Sequence, residues 1–200
     1  MTAAHESIAT AGAPDGTGPM SIGQTAFLAA LRLRVGSQIG ASDWAMVDQE
    51  RIDRFAAATG DHQFVHVDPV RAAAETPYGG TVAHGYLTLA MLGGALGEVL
   101  PVHPCVRAVL NLGADKVRFL APVRAGARIR GVFILNGVGA LPENKAALRL
   151  AATVEVTEAG AEAARPALSA ELTLMLVFSG DADAAEAAAR GDPQTAHVQL

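Results

Sequence analysis

The feature that most constrains this chain is its longest apolar run, Tyr86 to Leu100, which contains three glycines and, near its end, the single charge Glu98. At about fifteen residues it falls short of the roughly twenty that cross a bilayer. Extended back to His84, it reads as a helix from about His84 to Val99, apolar on nearly every side. Such a helix must be wrapped by other protein structure.

The C-terminal half of the chain supplies the wrapping. Arg107–Leu112, Asp115–Leu120, Arg128–Gly137, Ala146–Thr157 and Ala167–Phe178 are extended-looking runs, some alternating apolar and polar. Their separators are Gly113-Ala114, Pro122, Gly126, Leu141-Pro142-Glu143-Asn144 and Glu158-Ala159-Gly160. These are turn signals at hairpin spacing. One buried helix succeeded by antiparallel strands predicts an α+β fold, the sheet curled around the helix. Strand edges in such a sheet favour dimerisation.

The first half reads as helices and loops. Phe27, Leu28, Leu31 and Val35 recur at helical spacing over Gln24–Val35, with Gly36 as a stop. A short extended piece covers Gln38–Ala45. A second helix begins after Asp48, an N-cap residue flanked by Val47 and Ile52 in hydrophobic-staple positions, and ends at Gly60. Residues 61–80 read as irregular, with a helical turn at Pro69–Glu75 and an extended piece at Gln63–Val67. Residues 1–21 and 180–200 hold almost no large apolar side chains and are expected to be flexible tails, with a short helix over Asp181–Arg190. That leaves one domain over residues 22–179.

Composition excludes several classes. A net charge of −5, with 15 Lys and Arg scattered without a run, fits neither nucleic acid nor an anionic membrane as partner. The N-terminus lacks the basic start and apolar core of a signal peptide. The one cysteine, Cys105, excludes an internal disulfide and a Cys-rich zinc site, and is expected to be a buried, incidental thiol. A cytoplasmic protein is expected.

Two segments carry chemistry. In Gly60-Asp61-His62-Gln63-Phe64-Val65-His66-Val67-Asp68-Pro69, Asp61 and His66 stand five residues apart after a capped helix. A histidine titrating near neutrality can accept or donate a proton, and a carboxylate can orient a water beside it. Taken alone, the spacing better fits an aspartate that caps local backbone and a histidine that packs. His62 and His66, four apart, would suit a metal on a helix but not in an extended segment, so no metal site is expected. A serine-hydrolase reading lacks a G-x-S-x-G. In the second segment, Gly79-Gly80-Thr81-Val82-Ala83-His84-Gly85, flexible residues lead into the apolar helix. Gly85 opens a helix N-terminus, where free N–H groups and the helix dipole can polarise a carbonyl oxygen. The same glycines also fit tight helix packing alone.

The two segments in order, Phe55–Pro69 and Ala83–Thr88, resemble the MaoC-like dehydratases, hotdog-fold proteins that include (R)-specific enoyl-CoA hydratases, and most closely the NodN-like branch. The resemblance runs from about Gly36 to Phe178 and includes Asn111–Phe119 and Pro122-Val123. Asp61 and His66 match the ends of the family motif D-x-N-P-x-H, with Gln63 and Phe64 in the Asn and Pro positions. Gly93 and Gly94 occupy the region where some hydratases carry a serine. The resemblance implies a hydro-lyase acting on trans-2-enoyl-CoA to give (3R)-3-hydroxyacyl-CoA. Asp61 and His66 would hold the water and the Gly85 N–H the thioester carbonyl. It implies no cofactor, CoA entering as part of the substrate, and a homodimer. Alternatives are a hotdog acyl-CoA thioesterase, for which Glu98 lies at the wrong end of the helix, and a non-catalytic acyl-thioester binding subunit. Phe64, Tyr86 and Met91 fit either an acyl tunnel or core packing.

Overall fold

A computed structural model describes residues 20–179 except 102 and 162. The expected tails, apart from Met20 and Ser21, and the helix over Asp181–Arg190 lie outside the described residues. The elements are α1 (Ile22–Leu33), β1 (Gln38–Ala41), β2 (Ala45–Val47), α2 (Gln49–Thr59), α3 (Phe64–Val67), α4 (Pro69–Glu75), α5 (Gly85–Val99), β3 (Val106–Phe119), β4 (Ala127–Leu141), β5 (Lys145–Thr157) and β6 (Arg165–Phe178). The fold is α+β: an antiparallel sheet ordered β1-β4-β5-β6-β3, with β2 also on β4 and the central helix α5 laid against β4, β5 and β1. No helix among the described residues is long and apolar enough to cross a membrane.

The sheet's buried face arises from strand periodicity. Phe133 and Leu135 on β4, Leu148, Leu150 and Val154 on β5, and Leu168, Leu174 and Leu176 on β6 are almost fully buried. Leu87, Leu92 and Leu96 of α5 pack into the same core, and Phe27, Leu28 and Leu31 of α1 join it. Burying one such side chain contributes about 1.5–3 kcal/mol, so this shared core is the main source of stability.

Three expectations need correction. Residues 107–120 do not form two strands with a turn at Gly113-Ala114. They form the single strand β3, and its register shifts at Asn111/Gly113 and at Asp115/Arg118. Local bulging, with Lys116 at φ 50°, takes up what read as a turn. Next, Gln63–Val67 is not extended: Phe64–Val67 is one helical turn. Last, α5 is not covered on all sides. Leu87, Thr88, Leu92 and Leu96 are buried, but Tyr86, Ala90, Gly93, Gly94 and Gly97 are exposed. One sheet covers only one flank of a helix.

Candidate functional site

Local capping delivers the first site segment. The Asp48 side chain accepts from the Arg51 N–H, opening α2. Gly60 closes it at φ 76°, its N–H on the Ala56 carbonyl, and this left-handed residue turns the chain back at Asp61. Gln49, at the start of α2, donates to the His66 carbonyl at 2.8 Å and accepts from the buried Thr81 hydroxyl. One side chain thus ties α2, α3 and the Thr81–His84 segment together. That segment is pinned further: the Val82 N–H reaches the Val65 carbonyl at 3.0 Å, and the Ala83 N–H the Val123 carbonyl at 2.7 Å.

Asp61 and His66 therefore meet at the residue before Gly85. His84, next to Gly85, is the residue that joins them. Its ring stacks on His66 with centroids 3.8 Å apart, and its Nε2 lies 2.9 Å from the Asp61 carbonyl oxygen. The ligand-capable atoms of Asp61, His66 and His84 all lie within 4.8 Å of one another. His66 Nδ1 sits 2.7 Å from the Val82 carbonyl oxygen. A carbonyl only accepts, so Nδ1 carries the proton, and in the neutral ring Nε2 is left with a lone pair. Gln63 Nε2 donates to Asp61 Oδ1 at 3.0 Å. This bond is the main reason the Asp61 carboxyl titrates below the usual carboxylate range; partial desolvation opposes it, and the two imidazoles add smaller attraction.

Gly85 is the first residue of α5, and no side chain caps that helix. A first-turn N–H has no carbonyl within the helix. A Cβ on Gly85 would stand 2.8 Å from Phe119 Cε1. The Thr88 hydroxyl donates to the Gly85 carbonyl at 2.6 Å and holds the first turn in shape. Gly85, Tyr78, Tyr86 and Phe119 line an open cleft of about 400 Å³. Thr88 also borders a second cavity, of about 310 Å³, between α5 and the sheet, which Met91, Leu92, Ala95, Ile129 and Val154 line. Met91 and Tyr86 thus face cavities. Phe64 instead lies under the Arg71 guanidinium, 4.0 Å away.

The Asp61-His66-His84 trio has the residue types of a metal site, so its geometry needs a test. Ring lone pairs lie in the ring plane, and two rings stacked at 27° aim theirs side by side rather than at one point. His62 is exposed and falls outside the trio. Cys105 is buried, and burial pushes its thiol up to about 11. Its Sγ lies 2.8 Å from His103 Nδ1. A thiol so protonated is no nucleophile.

Sequence reasoning missed His84. Its only signal was adjacency to Gly85, because its partners lie 23 and 18 residues earlier.

An antiparallel sheet laid on a central helix is the architecture of the hotdog fold. The chain belongs to the MaoC-like dehydratase family: the family profile described as "MaoC like domain" matches residues 31–159. Family membership places it among the hydro-lyases. It is 44% identical over 151 residues to nodulation protein N of Rhizobium leguminosarum bv. viciae, covering 76% of this chain and 91% of that one. It is 43% identical over 144 residues to 3-hydroxyacyl-thioester dehydratase Z of Mycobacterium tuberculosis, covering 72% and 91%. Among solved structures, an R-hydratase of Pseudomonas aeruginosa matches with a TM-score of 0.57 and 27% identity, over 72% of this chain and 83% of that one. The (R)-hydratase of A. caviae involved in PHA biosynthesis matches with a TM-score of 0.54 and 25% identity, over 70% and 94%.

Proposed function

We propose that the protein adds water reversibly to the double bond of a trans-2-enoyl thioester, with CoA as carrier, giving the (3R)-3-hydroxyacyl thioester. The supporting names are those of its relatives, a 3-hydroxyacyl-thioester dehydratase and two R-hydratases. The single observation that carries the reading is the hydrogen-bonded state of the Asp61–His66 pair. His66 Nδ1–H is spent on Val82, and Gln63 holds Asp61 ionised. That leaves one base, His66 Nε2, and one fixed anion.

Those states dictate the steps. The Gly85 N–H, at the positive end of α5, binds the thioester oxygen and draws charge from C3. A water donates one hydrogen to His66 Nε2 and the other to the Asp61 carboxylate. Its oxygen bonds to C3 as Nε2 takes the proton. The C2–C3 π electrons move to the enolate oxygen at Gly85. The imidazolium, beside ionised Asp61, then returns its proton to C2. Dehydration is the reverse. The cavity beside Thr88 and Met91 receives the acyl chain in this reading.

A thioesterase of this fold would carry its acid on α5 itself, beside the bound carbonyl. The first turn of α5 carries none, and Glu98, near its far end, already accepts the Asp43 N–H at 2.9 Å. A mere binding subunit would have no use for a base whose tautomer is fixed.

The test is ultraviolet loss of the conjugated enoyl thioester, with short and medium chains on CoA and on acyl carrier protein. Asp61→Asn and His66→Ala should each lower kcat by about 10²–10⁴-fold, the usual worth of general acid–base catalysis. No turnover of any enoyl thioester by the wild type would sink the reading. Faster turnover on carrier protein would replace CoA, and release of free thiol would indicate hydrolysis.

A further inference from the structure

His84 has no part in the steps above, yet it is only 3% exposed and touches both groups that do. As the residue before α5 it makes no side-chain hydrogen bond to the helix. Its Nε2 faces the Asp61 carbonyl at 2.9 Å and must carry the proton, since that oxygen only accepts. Its ring stacks on His66 at 3.8 Å and 27°, and Phe55 packs on it at 5.1 Å. Nδ1 is buried and has no hydrogen-bond partner among the described residues. In the neutral ring this atom holds a lone pair.

A packing histidine has no need of that arrangement. An apolar ring would fill the same space between Phe55 and His66 without burying an unpartnered acceptor, which is costly. The carbonyl that His84 holds belongs to Asp61, five residues before His66. A single ring therefore sets the backbone of one group and the ring plane of the other.

We infer that His84 is a positioning residue of the hydration site: Nε2–H anchors Asp61, the stacked face orients His66, and Nδ1 accepts a hydrogen bond from water held beside them. This rests on the hydratase reading for its effect on rate, though not for its effect on the ring of His66. A small misplacement of the pair slows chemistry while leaving carbonyl binding at Gly85 in place. The loss should therefore fall on kcat rather than KM.

The experiment compares His84→Phe and His84→Gln with the wild type. Phenylalanine keeps the packing and removes both polar contacts. Glutamine restores a donor near Nε2. Expected for His84→Phe is a folded protein that melts somewhat below the wild type, because the Asp61 carbonyl loses its donor, with kcat reduced about 10–100-fold and KM changed less than about threefold. His84→Gln should recover part of the kcat. The readout independent of turnover is the Asp61 carbonyl ¹³C shift, together with the ring proton shifts of His66; the His66 tautomer stays fixed by Val82 in every variant. The Asp61 carbonyl shift should move in His84→Phe, where the Nε2–H bond is lost, and return toward the wild type in His84→Gln. Wild-type kcat in a folded His84→Phe protein overturns the proposal, as does an Asp61 carbonyl shift that does not move. A wild type without hydratase activity, but with the carbonyl shift moved in His84→Phe, sinks the hydratase reading and leaves the positioning role standing.

Discussion

Gln63 shows how one side chain sets the charge of the site. Its amide holds Asp61 below the usual carboxylate range, so the ionised form is favoured by folding. The stability this contributes is present above the unfolded-state value and is lost as pH falls through the lowered folded value. Gln63→Ala should therefore raise the Asp61 titration, tracked by carboxyl ¹³C shifts. An unmoved titration would show that another group holds the carboxyl down. Phe64, the other departure from the family motif, has a simple account. It is the first residue of α3, where proline is common because its N–H has no helical partner in any case. Phenylalanine there forfeits only a fixed φ. Gly85 is constrained by what lies over it, the Phe119 ring. Phe119 is 51% exposed and has room to swing, and alanine is the better helix former. Gly85→Ala should thus fold as well as the wild type by thermal melting, yet lose kcat/KM because the methyl crowds the carbonyl site. Undiminished kcat/KM would remove Gly85 from the mechanism.

Among the elements, α2 was the most legible in the sequence because its determinants are local. Asp48 caps it and Gly60 ends it within eleven residues of helix. Asp48→Ala should cost about 1 kcal/mol in urea unfolding. The strands β4, β5 and β6 were legible for the same reason: period-2 burial is written residue by residue. α3 was not, because a four-residue helix has no period to read and is held from outside. Gln49 takes the His66 carbonyl, and Val82 takes that of Val65. β3 was misread because its bulges use the same glycine that makes turns. Asp61 and His66 stood out as the ends of one motif and Gly85 as a helix start, but the ring between them did not, since stacking leaves no trace in spacing. The bridge through Gln49 is testable as an element-level property. Gln49→Leu frees the His66 carbonyl and the buried Thr81 hydroxyl together, at about 1–3 kcal/mol by urea unfolding. It should also loosen α3 enough to lower kcat. A loss of stability with kcat intact would show that α3 is held without it.

For the whole molecule, the uncovered parts of α5 and β3 belong together. β3 is the fourteen-residue edge of the sheet and exposes Val109, Leu110 and Leu112, with Phe119 and Leu120 at its end. The open flank of α5 carries Gly93, Gly94 and Gly97, where an added Cβ would meet nothing within 4 Å. A long apolar edge strand and a bare helix flank are each a poor surface for a monomer. A second copy related by twofold symmetry would pair the edges and cover the helices with one self-complementary contact. It would also roof the cleft at Gly85, since Phe119 lines that cleft and ends the exposed edge, with Tyr86 against it at 5.8 Å. We therefore expect a homodimer in sedimentation equilibrium at micromolar concentration. Leu112 is 52% exposed, so in a monomer Leu112→Asp should change stability by no more than about 0.5 kcal/mol. In the dimer it buries a charge, and should give monomers that melt lower and turn over more slowly. A wild type that sediments as a monomer, or a Leu112→Asp variant that matches it in mass, melting and rate, would mean that the exposed edge is left to solvent.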